Sequence, residues 1–385
     1  MIFKIIEMYR RYEEIKKTKA EVFELMNEFE FTKTKNDKLQ KIENVIMLVP
    51  VVYPNLGGVT SALRILSSLQ NKGCNLTLAV CSEEMTMEEA KKNVKICMPS
   101  YEGEVKVLKE CISEEYDVCI ATSWQTAYYA QKISGYKVYF VQDYEPEFYE
   151  TNDFSVLAKN TYSFDYHIIS LGEWNAEKIK INCLNYSSKI DVVDFPYDPK
   201  EYNFDKRNYE DYRNKKEITV ACYIRFIGRR IPYICEYLLS NAKSYMEKKG
   251  YKLNVLFFGI DKKNRFNGAT NLGKLSREEL FGLYKKCDFG MTASMSNISL
   301  VPYEMLATGL PLIEFRNGSY KFFLGDDTAL LIDFDYKELA DKIIKVVNAP
   351  EILEEMHQNV EMKLKKLSWD NTCEQFWSIL SNAKE

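Results

Sequence analysis

The chain has 385 residues, 46% of them hydrophobic, with 52 basic and 56 acidic side chains and a net charge of −4. That length exceeds one ordinary core and predicts two domains of roughly 150–200 residues. The slightly acidic balance argues against a nucleic-acid partner, which leaves a clustered basic footprint.

Residues 2–30 read as one amphipathic helix. Ile2, Ile5, Tyr9, Tyr12 and Ile15 recur at helical spacing, Val22, Phe23, Met26 and Phe29 continue the stripe, and Arg10, Arg11, Lys16, Lys17 and Lys19 occupy other faces. Such a helix suits three uses: packing on its own domain, pairing with a second copy as a homo-oligomer, or lying on an anionic membrane surface. Residues 32–41 form a charged linker.

From residue 44 the pattern becomes βα alternation. NVIMLVPVV (44–52) is a strand of the buried, parallel type, followed by a loop at Gly57-Gly58 and a helix ending near Gly73. Strands recur at 75–80, 117–122, 137–142, 166–171 and 189–195. The polar, charged stretch 195–216 reads as an inter-domain linker. A second series follows, with strands at 217–224, 253–259, DFGMTAS (288–294), PLIEF (311–315) and ALLIDF (329–334). Helices are expected at 231–247, from 277 to 287 and around Glu304, and the tail at 351–380 reads as helical. This is an α/β architecture of two Rossmann-like doubly wound parallel sheets with a cleft between them, plus the leading helix. The expected division is 1–41 helix and linker, 42–200 first domain, 201–355 second domain, and 356–385 a final helix crossing back to the first.

Ligands of open parallel sheets bind at the carboxyl ends of strands, so the loops there hold the candidate chemistry. TASMSNISLVPYEMLATGLPLI (292–313) runs from a strand end through a Ser/Asn loop into a helix opened near Pro302, with Glu304 in its first turn and a stop at Gly309 to Pro311. A carboxylate beside a helix N-terminus stands where backbone amides attract anions, the layout of a nucleotide-sugar pocket. Arg225, Arg229 and Arg230 follow another strand, and guanidinium forks suit a diphosphate leaving group. Gly57, Gly58 and Val59 open a helix after the first buried strand, where glycine permits close backbone approach. Asp143 and Glu145 end the strand at 137–142; turn capping would also explain both.

Ten cysteines with no C-x-x-C pair and no regular spacing read as reduced thiols of a cytosolic protein. The start has too short an apolar run for a secretory leader, and no stretch reaches the roughly 20 apolar residues of a membrane span. A cytoplasmic protein, or one peripheral on the inner face of the membrane, is therefore expected. Asp333-Phe334-Asp335 has the D-x-D spacing that can share a divalent cation, but its position after a late strand reads better as an N-cap. No histidine–cysteine cluster suggests zinc, so no metal is expected.

Residues 304–311, EMLATGLP, resemble the donor-site signature of the retaining GT-B glycosyltransferases (group 1, family 4-like), and YIRFIGRR resembles their arginine–lysine phosphate loop. VQDYEPEF (141–148) resembles the rhamnosyltransferases of bacterial surface-polysaccharide assembly. The resemblance implies a nucleotide-diphosphate sugar donor, dTDP-L-rhamnose first and a UDP- or GDP-sugar otherwise, and a polysaccharide or lipid-linked glycan acceptor. It implies metal-independent transfer with retention.

By the same resemblance Glu304 holds the ribose and residues Ser296, Asn297, Ile298, Ser299 and Leu300 line the phosphate and sugar. Lys274 and Leu275 meet the base, Gly57, Gly58 and Val59 lie near donor phosphates and acceptor, and Arg225 with Arg229 or Arg230 stabilises the leaving diphosphate. Asp143 is the candidate for sugar or acceptor contact, and would be the general base of an inverting enzyme. The family carries a glutamate eight positions before Glu304; here Ser296 stands in its place, without charge. That departure supports a second reading, a degenerate glycosyltransferase that partners an active one. A sugar-nucleotide epimerase of the same architecture is a third, weakened by having only two histidines, neither in a cleft loop.

Overall fold

The computed structural model describes residues 2–32, 34–54, 56–186, 189–197, 206–226 and 230–384. The chain divides into two compact units. The first comprises Met1–Leu171, Asn175–Val193 and Cys373–Glu385, the second Gly172–Trp174 and Asp194–Thr372.

In the first unit seven parallel strands form one sheet: β1 (Asn44–Val49), β2 (Asn75–Val80), β3 (Glu104–Val107), β4 (Val118–Ala121), β5 (Tyr136–Val141), β6 (His167–Leu171) and β7 (Ile190–Val193), in the order β3-β2-β1-β4-β5-β6-β7. β4, β1 after Asn44, and β5 apart from Lys137 are apolar because both faces are covered, and their side chains are buried almost throughout. Near the C-terminal end of the leading helix, Ile2–Glu28, Leu25 is buried, as is Phe29 just beyond it, which meets Tyr128 and Tyr129. Tyr12, Ile15, Phe23 and Met26 remain exposed.

In the second unit six parallel strands, β8 (Glu217–Tyr223), β9 (Lys252–Phe258), β10 (Thr270–Asn271), β11 (Phe289–Met291), β12 (Leu312–Phe315) and β13 (Leu330–Ile332), take the order β10-β9-β8-β11-β12-β13. One face is covered by the helices Pro232–Lys248 and Tyr336–Asn348, through Leu238, Leu239, Ile343 and Val347. The other is covered by the helices Arg277–Lys286 and Leu300–Ala307, through Leu283, Tyr284, Tyr303 and Leu306. Ser276 and Glu279 close a capping box at the start of the first of these.

Both sheets reverse strand order beside their first strand, between β1 and β4 and between β8 and β11. At such a switch point the loops leaving neighbouring strands diverge and leave a crevice. In the second unit those loops are the arginine loop after β8 and the Ser/Asn loop after β11.

Four details differ from the sequence expectations. β3 and β10 were not anticipated; both are short edge strands whose patterns are too brief and too exposed to stand out. The tail is two helices, Glu351–Leu364 and Trp369–Ser381, broken at 365–368. The Glu304 helix starts at Leu300, so Pro302 is its third residue and Glu304 falls in the second turn. Asp335 caps the helix Tyr336–Asn348 by accepting from the Lys337 N–H, as its position suggested. All ten cysteines are free, and no helix among the described residues is long and apolar enough to cross a membrane.

Candidate functional site

In the second unit the segment at 292–299 leaves β11 and enters the Glu304 helix. Its backbone is held from three sides. Arg230, buried at the start of the helix after β8, donates from Nη1 to the Ala293 carbonyl (3.2 Å) and from Nη2 to the Asn297 carbonyl (3.0 Å). Ser319 donates from its backbone N–H to the Ser294 carbonyl (2.7 Å) and from its hydroxyl to the Ser294 and Ser296 carbonyls. Glu314, fully buried near the end of β12, accepts from the Thr292 hydroxyl (2.6 Å), the Ser294 hydroxyl (2.6 Å) and the Ser294 N–H (3.2 Å).

Gly318 has to be glycine for this packing. A Cβ there would stand 2.5 Å from the Ser294 carbonyl oxygen, closer than non-bonded atoms approach. Gly318→Ala is therefore expected to displace the loop and cost about 1–3 kcal/mol of stability. Thermal unfolding checks this; an unchanged midpoint would contradict the packing described.

Ser296, Asn297 and Ile298 are buried within the loop, and Ser299 and Leu300 are half-buried at the helix start. Ser299 occupies the N-cap position but makes no side-chain capping bond. Glu304 is half-buried, and the Tyr284 hydroxyl donates to its Oε2 at 3.5 Å. Leu275 packs on the same apolar cluster as Ile298 and Tyr303, while Lys274 is exposed beside it. Their turn is tied to the end of β9 by a bond from the Gly259 N–H to the Gly273 carbonyl (2.9 Å).

Arg225 and Arg230, proposed together from sequence, do different things. Arg230 spends its fork on two backbone carbonyls and is 9% exposed. That geometry fits a loop anchor better than contact with the leaving group. Arg225 is exposed at the end of β8 and makes no hydrogen bond or ion pair among the described residues. Arg229 lies outside the described residues.

In the first unit Gly57, Gly58 and Val59 open the helix Gly57–Ser68, whose N-cap Leu56 offers no side-chain acceptor. Gly58 lies against the Gln142 amide, 3.6 Å from where its Cβ would be, so the loops after β1 and β5 meet. Asp143 is half-buried; its Oδ1 accepts from the Tyr144 N–H (2.8 Å), which is turn chemistry.

Glu145 is the more unusual carboxyl. It is buried, and its Oε2 accepts from the Trp124 N–H (2.5 Å) at a helix start and from the Tyr139 hydroxyl (3.3 Å). Burial pushes its pKa from the ordinary carboxylate range up to about 8; the Trp124 N–H opposes the shift and the Asp143 charge adds to it. The folded protein thus holds a proton here that the unfolded chain has released between pH 4.5 and about 8. Stability contributed by this group is present below that window and falls as pH rises through it, by roughly 1.4 kcal/mol per pH unit at most. Glu145→Gln cannot ionise, so its stability relative to wild type is expected to improve from pH 5 to pH 8. Chemical denaturation at both pH values checks the sign.

Sequence reasoning missed Glu314 and Ser319. The only local signal was one charged residue closing the otherwise apolar strand PLIEF. Among the described residues no cluster of His, Cys, Asp and Glu could hold a metal ion.

With this geometry in hand, comparison with known proteins is informative. The Anabaena protein HepE, solved in complex with UDP and glucose, superposes on 88% of this chain and 100% of its own, with a TM-score of 0.67 at 13% identity. The glycosyltransferase WaaG, involved in lipopolysaccharide biosynthesis, matches 87% of this chain and 99% of its own (TM-score 0.58, 13% identity). The fold is GT-B. Residues 44–174 match the family described as WsaF, N-terminal domain. The O-antigen biosynthesis protein RfbC of Myxococcus xanthus is 22% identical over 372 residues, covering 89% of this chain. The chain spans 27% of that relative's length. Within the GT-B fold, the loop after β11 and the helix carrying Glu304 lie where open α/β sheets bind ligands.

Proposed function

We propose that the protein is a glycosyltransferase of surface-polysaccharide assembly that takes its sugar from a nucleotide-diphosphate donor. The observation that carries this reading is the grouping in the second unit: an anchored Ser/Asn loop at the switch point, an uncapped helix start, the Glu304 carboxylate in the next turn, and an exposed arginine ending the adjacent strand. Helix-start amides suit phosphate, a carboxylate suits a ribose diol, and an unpaired guanidinium suits the charge of a departing diphosphate. Relatives solved with UDP and glucose, or named for O-antigen biosynthesis, support the donor and product class.

dTDP-L-rhamnose is the donor proposed first, from the VQDYEPEF segment, with a polysaccharide or lipid-linked glycan as acceptor. Transfer proceeds with retention and without a metal. Arg225 stabilises the leaving diphosphate, Glu304 holds the ribose and Asp143 contacts sugar or acceptor. The exposed apolar stripe of the leading helix, with Lys16 and Lys19 beside it, supports docking of the enzyme on an anionic membrane surface, where a lipid-linked acceptor would reside.

Calorimetric titration with dTDP, UDP and GDP, with and without EDTA, tests the reading. Metal-independent binding of one nucleotide is expected, and tightest binding of dTDP would support rhamnose. Binding of none overturns the donor site and leaves the degenerate partner as the better account, with Ser296 as its mark.

A further inference from the structure

The helix after the arginine loop, Pro232–Lys248, buries Cys235, Leu238, Leu239, Ala242 and Met246 on one side. A helix packed in this way ordinarily carries polar residues on the other side. Its first two turns carry Tyr233, Ile234 and Tyr237 there instead, and Tyr233 and Tyr237 are 71% and 60% exposed. Phe226, exposed in the arginine loop next to Arg225, brings its ring to 5.8 Å from that of Tyr233. Later turns return to the ordinary pattern with exposed Glu247 and Lys248. Single apolar side chains on a surface are unremarkable, whereas a contiguous group marks a binding surface.

Spacing, charge and size narrow what this group binds. Tyr233 and Tyr237 share one face of the helix, about 6 Å apart along its axis, and Phe226 extends the row at a similar interval. That repeat is close to the length of one pyranose in an extended glycan, and the C–H faces of sugars stack on aromatic rings. From Ile231 to Ala242 the one charged side chain is Glu236, whose Oε1 accepts from the Asn267 N–H (2.8 Å). An anionic membrane surface or a nucleic acid is met by clustered lysine and arginine; a neutral sugar needs none. The Tyr233 and Tyr237 hydroxyls make no hydrogen bond among the described residues, which leaves them open to sugar hydroxyls. Four side chains in a line also fall far short of the roughly 20–30 residues that each side of a stable protein interface contributes.

We infer that Phe226, Tyr233 and Tyr237, with Ile234 beside them, form a stacking row for an uncharged glycan, the part of the acceptor already built. The inference rests on the glycosyltransferase reading and names how its acceptor is held. The row starts one residue from Arg225, so a chain lying along it has one end beside the proposed contact of the leaving diphosphate. An acceptor several sugars long is therefore bound better than a single sugar.

The test titrates uncharged oligosaccharides of L-rhamnose, D-glucose and D-galactose, from monosaccharide to hexasaccharide, into the full chain labelled with fluorotyrosine. Fluorine NMR follows the Tyr233 and Tyr237 signals, assigned through Tyr233→Phe and Tyr237→Phe. In wild type, affinity for at least one series is expected to rise with chain length, and both signals to shift. The double variant Tyr233→Ala, Tyr237→Ala should bind the hexasaccharide about tenfold more weakly, the scale of two lost ring contacts, and the monosaccharide no differently. Phe148→Ala removes an exposed ring of the first unit and should leave glycan binding unchanged. dTDP and UDP should bind the double variant as they bind wild type, and a melting curve confirms that it is folded.

Hexasaccharide binding that persists in the double variant, or two tyrosine signals blind to every series, would overturn the inference, as would a double variant that loses phosphatidylglycerol vesicles and keeps glycan. With dTDP or UDP still bound, the donor site stands in each case. Length-dependent glycan binding through the row in a chain that binds no nucleoside diphosphate would instead remove the donor site and leave the row as the glycan surface of a degenerate partner.

Discussion

Glu304→Ala is expected to weaken binding of the nucleoside diphosphate by about 10–100-fold, through loss of one charge-assisted hydrogen bond worth roughly 1.5–3 kcal/mol. The side chain is only half-buried and projects from the second turn of a helix in which Pro302, Tyr303, Met305, Leu306 and Ala307 are packed into the core. Truncation should therefore remove ligand contact with little effect on folding. The Tyr284 hydroxyl, donating to Oε2 at 3.5 Å, orients the carboxylate, so Tyr284→Phe should show the same defect at a few-fold. Calorimetry with the diphosphate and a melting curve on each variant separate affinity from stability. Unchanged affinity in Glu304→Ala would remove the proposed ribose contact.

Arg225→Ala should act on turnover. Removing one preorganised donor to a developing charge typically costs 10²–10³ in rate, and about 100-fold in kcat is expected here with a much smaller change in KM. The reason lies in the geometry. Arg225 has no described partner, so its guanidinium is available when the diphosphate departs, whereas Arg230 is committed to two carbonyls. Arg225→Lys keeps the charge but loses the fork and should recover only part of the rate. Release of nucleoside diphosphate from the donor, followed over a range of donor concentration, gives both constants. A loss expressed wholly in KM would reassign Arg225 to ground-state binding.

Much of this protein was legible in one dimension. β1, β8 and β9 announce themselves as apolar runs bounded by turns, and the helix at 277–287 by its place between two expected strands. Gly309, at φ 71°, ends the Glu304 helix in the left-handed conformation that glycine adopts at least cost. These signals are local: the side-chain period and the terminal residues of an element are set by its own few turns of backbone. They fixed the α/β class and the sequence of strands, and they singled out Glu304 and the arginine loop.

What lay beyond reach depends on partners far along the chain. YIRFIGRR does not reveal which arginine is free, because Arg230 is claimed by carbonyls 63 and 67 positions away. PLIEF does not reveal that Glu314 carries a loop 20 residues earlier, since a lone acid at a strand end reads equally well as solvent-exposed. Glu145 looked like one of two turn carboxylates, and only its burial among Trp124, Tyr139 and Tyr162 separates it from Asp143. The sequence by itself determined the elements and the residue types able to do the chemistry. The tertiary structure decided which of those residues are spent on holding the backbone and which remain open to a ligand, because burial and hydrogen-bond saturation arise only once the strands have taken their order in the sheet.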